Sequence, residues 1–202
     1  MVKNDKTDKK LESLLNFLST TGRKLLLKRF NKDRCIATTA IAIKFLSKFG
    51  YQGEPIAVCV VIANSPAVEW MKVHAGKIPT AQEQDTIGGW LMKTGFTGVK
   101  KGKFWDGHLV FIVGDYFVDL TIDQDTRPHK QIILEPFVAN ISPEIKAQFI
   151  NNAGPFVLIL NGCLLEYRAF PNDQSFRDVQ EWNAKEAIDQ LADMLAFRYE
   201  RR

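Results

Sequence analysis

The stretch "FWDGHLVFIVGDYFVDLTI", residues 104–122, constrains the fold of this chain more than any other. Two β-branched and aromatic runs flank Gly114-Asp115, a dipeptide suited to a tight turn. The segment therefore reads as a β-hairpin and commits the chain to antiparallel pairing. A two-residue turn sets the register: Val113 faces Tyr116 and His108 faces Thr121, and facing residues share one side of the sheet. Asp119 and Asp123 then flank Thr121 on the side that carries His108, diagonal neighbours about 7–8 Å away at Cα. A carboxylate inside "YFVDLTI" is costly to bury unless it is paired. Asp123 runs on into Gln124 and Asp125 and reads as the exit to a loop. Asp119 is thus the expected partner of His108, with Asp123 as the alternative.

The remaining elements complete an α+β order. Residues 9–30 read as a helix with Leu11, Leu14, Leu15 and Leu18 in one stripe, continued by Leu25, Leu26 and Phe30 after a break near Gly22. Residues 34–49 read as a central helix capped by Asp33 and stopped by Gly50. "PIAVCVVIAN", residues 55–64, reads as a buried strand. Residues 65–103, punctuated by Gly76, Gly88, Gly89, Gly95, Gly98 and Gly102, read as an insertion or lid whose Trp70, Trp90 and Phe96 could cover a substrate. Strands are expected at "QIILEPFV" and "PFVLILNGCLLEYRAF", with a short helix beginning near Ser142 between them. An amphipathic helix over residues 175–199 closes the chain, in a C-terminal region taken as 175–202.

At 202 residues, with 46% hydrophobic and 25% charged residues, the chain suits one domain spanning 1–202, with an N-terminal helical region over 1–30. A net charge of +4, partly in "MVKNDKTDKK" and "RYERR", reads as solvated surface. No secretory signal and no membrane-length apolar run is visible, so no membrane partner is expected. The three cysteines, Cys35, Cys59 and Cys163, have no paired spacing, which points to a reducing, cytoplasmic setting. The scattered histidines offer no metal site. "GGW" and "TGFTG" fit no phosphate-loop or dinucleotide fingerprint, so no cofactor is expected. Only "KTGFTGVKKGKFW" fits a nucleic-acid footprint, and nucleic acid is not the expected partner.

Cys35 stands apart. Placed in the first turn of the helix opened by Asp33, its sulfur meets free backbone N–H groups and the positive end of the helix dipole, with Lys32 and Arg34 nearby. Those donors could also hold an oxyanion. A thiol nucleophile needs a base and the base an orienting acid, which His108 and Asp119 offer. Thr121 and Gln124 have the side-chain types to support such a site. Trp90 and Trp105 could wall a groove. Cys59 and Cys163, in apolar strands, read as packing residues. Each placement has a bland alternative, from a thiol filling a helix start to core tryptophans.

The segments "DRCIATTAIAIKFLSKFG", "WDGHLVFIV" and "YFVDLTIDQ" together resemble the papain-like thiol fold in its transglutaminase-like form. They are also similar to arylamine N-acetyltransferase-like proteins. The resemblance spans roughly residues 30–125. It implies an antiparallel sheet packed on a central helix that carries the cysteine, and a triad of Cys35, His108 and Asp119. The residues before the cysteine do not reproduce the oxyanion glutamine of papain, which leaves backbone donors and Asn31 for that role. The implied activity is acyl transfer or amide hydrolysis through a thioester, on a protein, a peptide or a small amide or acyl donor. A non-catalytic binding module on the same fold is the alternative.

Overall fold

The computed structural model describes residues 8–29, 35–95, 100–101 and 104–202. The expected Asp33 cap, Lys32, Arg34, Phe30, Asn31, Phe96, Gly98 and Gly102 lie outside the described residues, as does much of "KTGFTGVKKGKFW".

The chain opens with helix α1, Lys9–Phe17, whose N-terminus is capped by the Asp8 carboxylate accepting from the Lys10 and Leu11 amides at 3.1 Å each. There is no break at Gly22. The helix widens into a π-turn over Leu18–Gly22 and continues as α2, Arg23–Leu27. Within that turn the Thr20 hydroxyl takes the Asn16 carbonyl at 2.6 Å, which competes with the regular ladder. Helix α3, Cys35–Ser47, follows. It ends in a turn closed by Gly50 at φ +87°, a left-handed position that suits glycine.

Strand β1, Glu54–Ala63, is the axis of the sheet. Helices α4, Ser65–Val73, and α5, Ala81–Ile87, then lead to strand β2, Leu91–Thr94. Asn64 ties this unit together: its side-chain oxygen accepts from Ala67 and Trp90 amides, and its amide donates to the Gly88 and Lys130 carbonyls. The segment 65–103, expected as an insertion or lid, therefore supplies a strand of the sheet up to Thr94. Beyond it lie two short paired strands, β3, Lys100–Lys101, and β4, Phe104–Trp105. Strands β5, His108–Val113, and β6, Tyr116–Asp119, form the expected hairpin. Val113 is opposite Tyr116, and Gly114 sits at φ +57°.

Two expected strands differ. "QIILEPFV" yields strand β7 only over Phe137–Asn140; its first part is a turn closed by an Arg127–Ile132 bridge. Helix α6, Pro143–Ile150, follows. "PFVLILNGCLLEYRAF" is not one strand but a hairpin of β8, Phe156–Leu160, and β9, Cys163–Ala169. Asn161 and Gly162 both take positive φ, at +49° and +78°, which is the requirement of a tight Asn-Gly turn. The expected C-terminal helix divides into a 3₁₀ turn at Ser175–Asp178, then α7, Gln180–Asn183, and α8, Lys185–Glu200.

All pairings in the main sheet are antiparallel, in the order β7-β6-β5-β1-β9-β8. The first half of β1 pairs with β5, and its second half pairs with β2 along the same edge. The sheet buries both faces. On one, Val58, Val60, Val110 and Ile112 meet an aromatic cluster in which Phe117 lies 4.6–6.0 Å from the rings of Phe137, Phe149, Phe156 and Tyr167. On the other, Phe111 and Val113 pack on α3, which is enclosed by α1 and α8 through Phe17, Phe45 and Leu195. Lys44–Asp189 and Lys48–Asp193 pairs flank the α3–α8 seam. No helix among the described residues is long and apolar enough to cross a membrane.

Phe117 is fully buried at the centre of the aromatic cluster. Phe117→Ala should cost about 3–5 kcal/mol in chemical denaturation, whereas Val157→Thr on the half-open outer face of β8 should stay within about 0.5 kcal/mol.

Candidate active site

The centre of the site is a carboxylate with no exposed surface. Asp119 closes β6, and the chain then curls so that the Thr121 and Ile122 amides point back at its Oδ1, at 2.9 and 3.0 Å. The Thr121 hydroxyl adds a longer contact at 3.4 Å. Its Oδ2 accepts from the Tyr167 hydroxyl at 2.9 Å and lies 2.7 Å from His108 Nε2. A carboxylate bonded in this way remains ionised despite burial. Desolvation pushes Asp119 upward, but His108 and these hydrogen bonds outweigh it and hold its pKa below the ordinary 3.8.

His108 opens β5 and is almost completely buried. Burial acts against its charged form, yet the Asp119 carboxylate and, more weakly, Asp125 hold its pKa above the ordinary 6.5. With Nε2 committed to Asp119, Nδ1 is the nitrogen left to exchange a proton. The Gln124 side-chain nitrogen approaches it at 3.5 Å.

Helix α3 packs on the face of Phe111 and Val113, whereas His108 and Asp119 share the parity of Val110, Ile112 and Phe117 on the other face, and the thiol approaches the end of β5 where the sheet opens. The β5–β6 ladder runs from Val113 to Phe111 and stops. The carbonyl of Ala57, opposite Leu109, turns toward Phe170 on the β9 side, so the polar groups of Leu109 face the side that β6 has left. Helix α3 takes that place. Its Thr39 hydroxyl donates to the Leu109 carbonyl at 3.2 Å, and the Cys35 thiol points at the Gly107 carbonyl, 3.9 Å away. Cys35 is therefore the first residue of α3 and lies against the residue preceding His108.

At Cys35 burial opposes the stabilisation of a thiolate that the helix start would give. Cys35 retains some exposed surface, but the protein packed around its sulfur desolvates a thiolate and pushes the thiol up to about 12. Hydrogen bonding to the Leu109 backbone pulls down, and the Asp119 charge pushes further up. Desolvation outweighs the helix start.

The other expected residues separate cleanly. Trp105 borders the site: its ring covers Gly107, where a Cβ would fall 2.1 Å from it, and its Nε1 donates to the Ser175 hydroxyl at 2.9 Å. With Phe170, Phe176 and Trp182 it forms an aromatic wall beside Cys35. Trp90 does not border it. It sits beyond Ala63 with Lys130 over its ring at 4.2 Å, while His108 pairs with Val58; five residues of strand separate the two, about 17 Å. Asp123, the alternative acid, is instead held by buried Arg23 at 2.7 Å. Asn31 lies outside the described residues. Among the described residues of the segment 65–103, Gly95 lies against His108 and Thr94 against Asp125. Gly95, at φ +70°, leaves no room for a Cβ, which would sit 2.8 Å from His108 Cβ, and Thr94 bonds Asp125.

Sequence reasoning missed Tyr167 and Asp125. Tyr167 is an inward position of a strand whose hairpin was itself misread. Asp125 read as loop, but it is 8% exposed, burial pushes its carboxyl up, and its Oδ2 has no hydrogen-bond partner among the described residues. Among the described residues, no group of three or more His, Cys, Asp or Glu side chains could hold a metal. Comparison of the chain with protein-family models, with curated proteins and with solved structures gave no match.

Two outcomes are expected. At pH 7.5 Cys35 should alkylate with iodoacetamide about 10³-fold more slowly than an ordinary cysteine, because a thiol near 12 exposes correspondingly less thiolate; mass spectrometry against a peptide thiol reads this. The pair should also give stability a defined pH window. Asp119, lowered, contributes above its unfolded value near 3.8 and loses that as pH falls through its folded value; His108, raised, contributes below 6.5 and loses that as pH rises through its folded value. The stability difference between the wild type and the His108→Gln/Asp119→Asn double variant should therefore peak between about pH 4 and 6.5 in urea titrations.

Proposed function

We propose that the chain is a thiol-dependent acyl-transfer enzyme or amide hydrolase of the papain-like and transglutaminase-like type, with Cys35 as nucleophile, His108 as base and Asp119 as the orienting acid. The observation that carries this reading is the solvent-shielded His108–Asp119 pair at 2.7 Å, with a thiol at the start of a helix against the adjoining Gly107. Buried, paired titratable groups of perturbed pKa gather at functional sites, and here a thiol lies beside the residue preceding the histidine.

In this reading the chemistry requires Cys35 Sγ to come within hydrogen-bond reach of His108 Nδ1. Nδ1 of His108 takes the proton of Cys35 as the sulfur attacks a carbonyl carbon. Gln124 must yield Nδ1 for this. The carbonyl electrons move to oxygen, and backbone N–H groups at the start of α3 offer donors for that oxyanion. The imidazolium returns its proton to the departing amine, leaving a thioester. Water or a second amine then attacks the thioester, and the sulfur leaves as thiol. The aromatic wall of Trp105, Phe170, Phe176 and Trp182 suits an apolar portion of a peptide, isopeptide, glutamine-bearing or small amide substrate.

One observation favours a second reading, a binding module in which the triad is silent: the thiol is pushed up to about 12. A single experiment separates the two. The protein is incubated with a panel of N-acyl peptide amides and activated acyl esters and followed by intact mass. The enzyme reading expects a thioester adduct on Cys35, absent in Cys35→Ala. It also expects the rate to fall by about 10²–10⁴ in Asp119→Asn, as loss of the orienting acid does in a serine triad. Absence of an adduct across the panel, or equal acylation in His108→Ala, selects the binding module.

A further inference from the structure

Asp119 is held from a direction that the triad does not require. Its Oδ1 is satisfied by its own loop, through Thr121 and Ile122. Its Oδ2 is shared between His108 and the hydroxyl of Tyr167, a residue 48 positions away on β9 and with no exposed surface. Two intervening strands, β5 and β1, separate β9 from β6 in the sheet order. Only the curl of the sheet, with the Tyr167 ring packed on Phe117 at 4.9 Å, brings the phenol to the carboxylate.

We infer that Tyr167 is a positioning residue for the base: by donating to the same oxygen that binds His108 Nε2, it fixes the plane of the carboxylate and draws off part of its charge, so that His108 stays less basic than Asp119 alone would make it. The inference rests on the acyl-transfer reading for its purpose, but its physical content is a property of His108 that can be measured without turnover.

The physical reason is the sharing of one lone-pair region. A hydrogen bond to a carboxylate stabilises the anion and weakens its pull on a second donor. A base works best when its proton affinity is near the working pH. An imidazole facing an undiluted buried carboxylate would hold its proton too tightly to accept another from a thiol. The titratable and charged groups around the pair are fixed in place: Asp125 on the turn after β6 with Arg127 beside it, and the neutral thiol of Cys35 on α3. Tyr167 itself stays neutral, since burial and the Asp119 charge push its hydroxyl well above the ordinary 10. It acts as a donor throughout.

Tyr167→Phe tests this, because the ring and its aromatic packing remain. The midpoint of His108 is followed by nitrogen-15 NMR titration of the full chain, with His108→Gln identifying the resonance. The expected result is an upward shift of about half a unit or more, roughly threefold in proton affinity. Phe156→Leu, in the same aromatic cluster but without contact to Oδ2, should leave the midpoint where it is. An unchanged or lowered midpoint in Tyr167→Phe, or an equal rise in Phe156→Leu, overturns the inference. Where an acyl donor modifies Cys35, its rate at pH 6 should fall about threefold in Tyr167→Phe and recover at high pH. A missing adduct in the wild type counts against acyl transfer and not against the NMR result.

Discussion

A buried negative charge organises this molecule. Asp119 has no exposed surface, and its burial is tolerable because donors surround it: two amides and a hydroxyl from its own loop, an imidazole from β5 and a phenol from β9. Removing one of these leaves a lone pair unsatisfied in a medium that cannot replace it. The carboxylate therefore locks together parts of the chain that hydrophobic burial alone would leave free to slide. It sets where β6 ends, because the amides of Thr121 and Ile122 can reach Oδ1 only if the chain turns there. It also sets how strongly the sheet curls, because β9 must approach β6.

That turn has a second consequence. When β6 ends at Asp119, the edge of β5 near Leu109 and Gly107 loses its strand partner. Unpaired carbonyls in the interior must be satisfied. Helix α3 supplies what a strand would have supplied, with Thr39 bonding Leu109 and Cys35 pointing at Gly107. The position of the thiol beside Gly107 is thus not separate from the fold. The loop that coordinates the acid opens the place that the start of the helix fills. Gly107 and Gly95 show how tight the junction is, since a Cβ at either would strike Trp105 or His108.

The part of the site that depends on local register was legible in the sequence. Gly114-Asp115 between two apolar runs determines which residues oppose one another, and the diagonal from His108 to Asp119 follows from pleat geometry. The choice between Asp119 and Asp123 was legible from desolvation cost, and the Arg23–Asp123 pair shows where the other carboxylate goes. What lay beyond reach depended on contacts distant in sequence. Nothing local marks Tyr167 as a partner of Asp119. Trp90 and Trp105 look alike in sequence and differ only through the register of β2 and β5 along β1. The Asn161-Gly162 turn was different: the signal was present, but the apolar residues on both sides read as one continuous strand. The setting of the thiol was not legible because a helix start lowers a thiol pKa only when the sulfur stays hydrated, and packing around α3 is a tertiary property.

The raised thiol and the raised base belong to one electrostatic arrangement under the acyl-transfer reading. Asp119 increases the proton affinity of His108 and also that of Cys35, so it acts with opposite sign on the two ends of the proton path. A free thiolate at this position would be an isolated charge in a desolvated setting beside a carboxylate, which is strongly disfavoured. Transfer to Nδ1 creates no isolated charge. The thiolate forms together with the imidazolium, the carboxylate remains, and the net charge of the three groups is unchanged. Desolvation penalises a contact pair far less than separated ions, provided the geometry is held. A site built this way keeps its sulfur neutral at rest and makes it nucleophilic as the imidazole takes the proton. Holding the imidazole in place then matters more than lowering the thiol pKa, and the donors gathered on Asp119 serve that end.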